Sequence, residues 1–429
     1  MLFKNIAILD ENFEISSSMY VGVEKDTVTY IGSEMPEGDF GEVYDGRGKL
    51  LMPAFYNAHA HSPMMLMRGY GENLTLQDWL NTRIFPFEDK LTTDAVYYST
   101  LLAMAESARF GIVSSNDMYY FCDAMVRAVD ESGAKANISR SITSFAEGSV
   151  KNNDSYKEAE ALIRDMHEAA EGRIRIDASI HAEYTNTVTS MTEVADLAKK
   201  YGVNMHVHVS ETASEHEECK QRHGGKTPAR LLCDLGAFDV PAVAAHCVWA
   251  EEDDMEIFRE KGVTVATCPV SNLKLASGVC DVPALMKKGV NVAIGTDSVA
   301  SNNSLNFIEE MKFFALLNKE RRNDPTVITP KEALYAATRA GALSQGRKDC
   351  GILAVGNKAD LTVIDIDQPH MRPVHDLANN IVYSASGSDV VLTMADGKVL
   401  YRDGDFFTID VEKAIAETER ACRNILSQL

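Results

Sequence analysis

The sequence predicts an α/β protein, a (β/α)8 TIM barrel with a small β-sandwich domain formed by both chain termini. Three observations point there. Eight apolar runs alternate with amphipathic stretches through the centre of the chain. Residue types that bind metals and move protons stand at or just past the C-terminal ends of several of those runs. Two β-rich segments flank the whole. In a barrel of this kind the strand ends converge on one point, where the active site is built.

The segment 1–50 reads as the first part of the sandwich, with β-like runs at Phe3–Leu9, Ser18–Glu24 and Thr27–Ile31 punctuated by Gly32, Gly38, Gly41, Gly46 and Gly48. The barrel is expected over 51–350, on strands at Leu51–Ala58, Gly111–Met118, Asn137–Phe145, Arg173–His181, Val203–His208, Ala242–His246, Val263–Cys268 and Val292–Thr296. Eight strands, each followed by a helical stretch or long loop, suit a barrel better than a doubly wound sheet. No GxGxxG or GxxxxGK[ST] motif occurs, so the usual phosphate cradles are absent, and there is no solenoid-type repeat. The segment 351–405 returns to β patterning at Asp360–Ile366, Asn380–Ser384, Asp389–Ala395 and Lys398–Tyr401, with turns at Asp396-Gly397 and Asp403-Gly404. A closing helix is expected within 406–429, over Asp410–Leu429, with Val411, Ile415, Cys422, Ile425 and Leu429 on its apolar side.

At 429 residues the chain is long enough for a large barrel and an appendage. A net charge of −21 is a poor match to nucleic acid or anionic lipid, and neither is expected as a partner. No apolar run approaches the roughly 20 residues that span a bilayer, and the first residues lack the pattern of a secretory leader. The eight cysteines (Cys122, Cys219, Cys233, Cys247, Cys268, Cys280, Cys350 and Cys422) form no CxxC pair and read as reduced thiols of a cytoplasmic protein. Cys247 and Cys268 lie near the chemistry-bearing residues but read as packing groups. The expected partner is a small molecule, and the expected assembly a homo-oligomer.

Six residues carry the chemistry: His59 and His61 in Asn-Ala-His-Ala-His, His208 and Glu211 in His-Val-Ser-Glu, His246 in Ala-Ala-His-Cys, and Asp297 in Ile-Gly-Thr-Asp-Ser. Side chains two apart on a strand share a face, so His59 and His61 both point inward at the end of the first strand. His206 and His208 share a face by the same rule. His208 is nearer the rim, and His206 is assigned to the hydrogen-bonded interior one layer deeper. Asp297 has a competing reading as a helix N-cap before Ser298. Beside three inward histidines, the metal-ligand reading is preferred. His59, His61, His208 and Asp297 are therefore the expected ligands of one divalent ion, zinc or alternatively iron. Asp297 can also accept a proton from water that the ion acidifies. Glu211 is the candidate general acid/base, and Glu215, Glu217 and Glu218 read as the solvated face of the helix that follows. His181 and His246 end the fourth and sixth strands, where they can contact substrate and water respectively. These roles together indicate metal-assisted hydrolysis.

The order HxH, HxxE, His and Asp on successive strands resembles the amidohydrolase superfamily over nearly the whole chain. Within it, the sequence is similar to the methylthioadenosine/S-adenosylhomocysteine deaminases. The shared stretches are Met67-Arg68-Gly69, Leu76-Gln77-Asp78-Trp79-Leu80, Pro86-Phe87-Glu88, Ser271 to Gly278, and Gly295-Thr296-Asp297 followed by Ser301-Asn302-Asn303. The resemblance implies that Trp79 packs near the substrate, that Glu88, nine positions later, binds the ribose hydroxyls, and that His181 and Ser301 hold the purine. Arg140 is a candidate for gripping an amino-acid tail, and no second arginine follows in the loop after Phe145. Binuclear relatives bridge two metals with a lysine at the end of the fourth strand. Residues 173–184 contain none, so one metal is implied.

The implied activity is hydrolytic deamination of an adenine nucleoside: methylthioadenosine, S-adenosylhomocysteine, 5′-deoxyadenosine or adenosine. An alternative is deamination of a free base or another heterocycle, such as guanine, an oxidised purine, a pterin or an s-triazine. Glu88 discriminates, because only a sugar-bearing substrate needs diol recognition. A non-catalytic scaffold of the same fold is a remote alternative, since all four ligand positions and Glu211 are present.

Overall fold

The computed structural model describes residues 1–429. Its central body is a barrel of eight parallel strands: β6 (Phe55–Ala60), β7 (Ile112–Tyr119), β8 (Lys135–Arg140), β9 (Ile174–Ala182), β10 (Met205–Val209), β11 (Ala242–His246), β12 (Thr264–Thr267) and β13 (Val292–Ile294). Seven parallel ladders join them in chain order. The barrel closes between its last and first strands through a parallel bridge of Ala60 with Asp297, in which the Asp297 N–H donates to the His59 carbonyl at 2.9 Å. Close approach is possible because residue 295 is glycine. A Cβ there would stand 3.0 Å from the His59 backbone nitrogen and 2.9 Å from its Cβ.

Both chain termini build a second, nine-stranded sheet: β1 (Leu2–Leu9), β2 (Ile15–Glu24), β3 (Thr27–Gly32), β4 (Val43–Asp45), β5 (Lys49–Pro53), β14 (Leu361–Asp365), β15 (Val390–Ala395), β16 (Lys398–Arg402) and β17 (Asp405–Phe406). Its order is β17-β16-β15-β14-β5-β1-β2-β3, with β4 beside β1. Most pairs are antiparallel; β1 pairs in parallel with β4 and β5. The junction of the two chain segments is the antiparallel pair β5–β14. The sheet curls over its own core, which includes Phe3, Ile6, Val21, Val28, Leu51, Leu361 and Leu392. Its two ends meet at the hairpin turns. Gly397 lies so close to Lys25 that a Cβ would collide with the Lys25 carbonyl, and its φ of +73° is one that L side chains rarely adopt.

Three expectations need correction. The first apolar run is two strands, because the chain passes from the terminal sheet to the barrel at Pro53–Ala54, and apolarity alone does not mark a change of sheet. Asn380–Ser384 belongs to a helix, Leu377–Tyr383, capped by the Asp376 side chain on the Asn379 N–H at 3.1 Å. The closing helix forms over Val411–Leu426, but its fully buried face is Ala414, Thr418 and Ile425, while Ile415 and Leu429 are exposed. Small residues at 414 and 418 let it lie close against the helix Thr93–Arg109.

The two bodies are joined by a buried polar knot. Lys135, at the start of β8, reaches Asp360 just before β14 and Asp396 (2.8 Å), and the Tyr56 hydroxyl also donates to Asp360. Burial opposes both charges, yet the Asp360 carboxylate holds the Lys135 ammonium above its ordinary pKa, and Lys135 in turn holds Asp360 below its own. Removing one partner of such a pair leaves the other charge buried and alone. Asp360→Ala is therefore expected to lower the unfolding free energy by about 3–5 kcal/mol in urea denaturation. An unchanged midpoint would show the knot to be dispensable.

Candidate active site

The structure brings His59, His61, His208, His246, Glu211 and Asp297 together at the C-terminal mouth of the barrel. The ring nitrogens of His59, His61 and His208 lie within 4.8 Å of one another, as do the ligand atoms of His59, His246 and Asp297. Asp297 Oδ1 is 3.6 Å from His59 Nε2 and 3.4 Å from His61 Nε2. All these residues are buried except His61, which is partly exposed.

Each ring is oriented by a partner on its far side. His61 Nδ1 donates to the Met118 carbonyl (2.6 Å), and His208 Nδ1 donates to the His181 carbonyl (2.6 Å). A neutral ring whose Nδ1 carries the proton presents a bare lone pair at Nε2. The two Nε2 atoms nevertheless face each other at 3.4 Å. His59 Nε2 is fully buried with no hydrogen-bond partner, while its Nδ1 is bonded to His206 Nε2 at 2.9 Å. His206 thus sits behind His59, in the supporting role expected of it. Burial, then the neighbouring histidines, holds His59 and His208 well below the usual imidazole pKa, and His206 at about 3. Neutral imidazoles converging beside a carboxylate are the donor set of a divalent cation, and the residues present fit one.

Asp297 is left-handed at φ 60°, as are Ser210, His246 and Cys247 at neighbouring strand ends. Its Oδ2 accepts from Ser271 Oγ (2.6 Å) and Ser301 Oγ (3.1 Å), and its Oδ1 from the Ser298 N–H (2.7 Å). No helix begins at Ser298, so the cap that competed with the metal reading does not form, and the Ser298 contact leaves Oδ1 still facing the histidines. His246 Nδ1 is held by Asn272 Oδ1 at 2.9 Å, and its Nε2 lies 3.8 Å from the Glu211 carboxylate. Burial lowers the His246 pKa, but the Glu211 and Asp297 carboxylates outweigh it and the net shift is upward. Glu211 is raised, first by burial and further by Asp297, with His246 opposing.

Glu215 departs from expectation. It is buried rather than solvated, and its carboxylate accepts the backbone N–H groups of Ser210 (3.0 Å), Glu211 (2.6 Å) and Thr212 (3.4 Å). It thereby fixes the turn that carries Glu211; only Glu217 and Glu218 are exposed. Glu310 is a second buried carboxylate that sequence reasoning missed. It ties the Val270 N–H to the Asn302 side chain, bracing the loops that carry Ser271 and Ser301.

A cleft of about 620 Å³ opens over this cluster, lined by Trp79, Glu88, Tyr119, His181, Glu211 and Ser301, among others. Trp79 and Glu88 lie on the helical segment 76–88. A regular helix would turn residues nine apart to opposite faces, but a wide turn over Leu80–Ile84 breaks that phase, and both line the cleft. Burial pushes the Glu88 pKa up to about 8, with the nearby Tyr119 hydroxyl opposing. Arg140 is not in this cleft. It lines an adjoining chamber, where its Nε donates to Glu158 at 2.7 Å.

A barrel of this topology with an HxH, His, His and Asp cluster at its mouth defines the amidohydrolases. Residues 50–400 match the amidohydrolase family, and the chain belongs to it. It is 39% identical to the 5-methylthioadenosine/S-adenosylhomocysteine deaminase of Thermoanaerobacter pseudethanolicus, over 100% of both chains. It is also 39% identical to the 5′-deoxyadenosine deaminase of Methanosarcina mazei, over 95% of this chain and 94% of that one. Among solved structures, a zinc-bound adenosine deaminase from Xanthomonas campestris superposes with a TM-score of 0.92 at 29% identity, covering 99% of this chain and 98% of the other. No helix is long and apolar enough to cross a membrane.

The donor set makes a prediction about metal content. His208→Ala removes one of the converging lone pairs and is expected to yield protein strongly depleted of metal by elemental analysis relative to the parent. Full retention of the metal would exclude His208 from the ligand set.

Proposed function

We propose that this chain is a hydrolytic deaminase of adenine nucleosides that uses one divalent ion, zinc in the first instance, held by His59, His61, His208 and Asp297. The observation that carries the reading is the sharing of one cleft by this cluster, the buried Glu211 and a second carboxylate, the half-buried Glu88. The family relatives named as deaminases of adenosine derivatives support it. When bound, the ion supplies acidified water at neutral pH.

The chain's own residues handle the remaining chemistry. His181 and Ser301 hold the purine in the cleft, and Trp79 packs near it. Asp297 and His246 orient the attacking water and receive its proton. Burial raises the Glu211 pKa, the direction that suits a general acid/base. Glu211 delivers a proton to the ring nitrogen beside the amine-bearing carbon. Water adds at that carbon, the proton taken from it passes to the amine, ammonia departs, and Glu211 recovers a proton from the new hydroxyl to leave the inosine analogue. Glu88 accepts the two ribose hydroxyls. Burial raises the Glu88 pKa, and two hydroxyl donors would favour its ionised form.

Two substitutions test these roles. Glu211→Gln keeps the shape and removes the proton shuttle, so metal content should be retained while kcat falls by roughly 10²–10⁴ or more. Normal turnover would pass the role to another group. For Glu88→Ala, 5′-modified adenosines should lose most of their kcat/KM while free adenine, already poor, changes little. If guanine or another free base were the best substrate of the parent enzyme and indifferent to Glu88→Ala, the nucleoside reading would fall and the metal-bearing barrel would remain.

A further inference from the structure

Beyond Glu88 the cleft continues into a second chamber, broadly open to solvent, with which it shares Phe85, Glu88 and Tyr120. If Glu88 takes the ribose diol, a substituent on the ribose 5′ carbon has this chamber as its nearest open space. The chamber wall carries five carboxylates (Glu88, Asp89, Asp123, Glu158 and Asp165), and Arg140 is the one cation among its lining residues. Arg140 is already engaged. Its Nε donates to Glu158 Oε2 at 2.7 Å, its Nη1 donates to the Ser141 carbonyl at 2.5 Å, and its guanidinium lies over the Tyr120 ring at 4.9 Å. Asp165 is paired from outside by Arg164 at 2.7 Å. The remaining lining is aromatic at Phe85, Tyr120, Phe121 and Phe145, and Phe145 is 75% exposed.

A carboxylate-bearing tail entering this chamber would face like charges and would compete with Glu158 for Arg140. A thioether or alkyl tail would find aromatic faces. A tail ending in an ammonium or sulfonium would find those faces and the unpaired acids. We infer that the chamber makes this enzyme selective for adenosines whose 5′ substituent is uncharged or cationic, and discriminates against a free carboxylate. The substrate class is the 5′-alkylthio- and 5′-aminoalkylthio-5′-deoxyadenosines. This inference rests on the nucleoside reading above and deepens it.

The test compares kcat/KM for methylthioadenosine, 5′-(3-aminopropylthio)-5′-deoxyadenosine and S-adenosylhomocysteine, with free adenine and guanine alongside. The aminopropyl compound is expected to exceed S-adenosylhomocysteine by roughly tenfold or more at low salt. The gap should shrink as salt is raised, because these acids are largely at the surface. Glu158→Gln releases Arg140 and should raise the ratio of S-adenosylhomocysteine to methylthioadenosine turnover. If S-adenosylhomocysteine matches or beats the aminopropyl compound, and Arg140→Ala lowers that reaction alone, Arg140 receives the carboxylate and the inference is overturned. Equal turnover of all three nucleosides also overturns it while leaving the nucleoside reading intact. A free base as best substrate overturns both.

Discussion

One backbone contact, the Asp297 N–H on the His59 carbonyl, both closes the barrel and sets two of the proposed ligands side by side. The histidine–aspartate cluster cannot assemble until the last strand has met the first, and the last strand cannot meet the first without setting those side chains at the mouth. Gly295 is the steric condition for this contact, since any side chain there would press against His59. The rest of the site hangs from that closure. Ser271 and Ser301 hold the far oxygen of Asp297, and Glu310 braces the loops from which both serines come.

The second requirement is electrostatic. Six histidines are packed at the barrel mouth: His59 lies against His61, His206, His208 and His246, and His181 lies against His208. Such a cluster can exist only if most of its rings are neutral, and burial ensures that for His59, His206 and His208. Backbone carbonyls, which cannot change protonation state, choose the tautomer of His61 and His208. The arrangement is thus pre-set to receive a cation. The left-handed residues at 210, 246, 247 and 297 add a strain on the order of 1 kcal/mol each. Glu215, accepting three successive N–H groups, offsets part of it where the chain turns from β10 to Glu211.

Much of this could be read in the sequence because periodicity and chemistry agreed. The barrel strands show as apolar runs ending in His or Asp, and residues two apart on a strand must share a face, which separates His206 from His208 once the rim is located. What escaped reading depended on longer-range packing. A continuous apolar stretch from Leu51 to Ala58 gives no sign that it serves two sheets, apart from Pro53. Glu215 stands among Glu217 and Glu218 in a polar helix start, and only the turn at Ser210 shows that its carboxylate points inward. Asn380–Ser384 has apolar residues at strand-like spacing, and Asp376 capping made it a helix. The wide turn over Leu80–Ile84, which lets Trp79 and Glu88 share the cleft, has no signature in residue type. Arg140 was visible as a basic residue near the rim, but its engagement by Glu158 comes from a helix 18 positions away.

The pairing of β5 with β14 joins residues 49–53 to 361–365, and it sets an order on biosynthesis. A ribosome delivers β5 long before β14 exists, so that strand, paired with β1 on one side, waits with its other edge uncovered while some 300 residues of barrel are made. Contacts of such sequence separation form slowly, and waiting edges are where nascent chains associate wrongly. The barrel seam has the same delay, since β6 meets β13 only after residue 297 is free to move. A chain interrupted before β13 therefore lacks Asp297, and with it the bridge that closes the barrel, as well as strands β14 to β17 of the terminal sheet. The proposed donor set is therefore complete only in a chain whose barrel has been synthesised to its last strand.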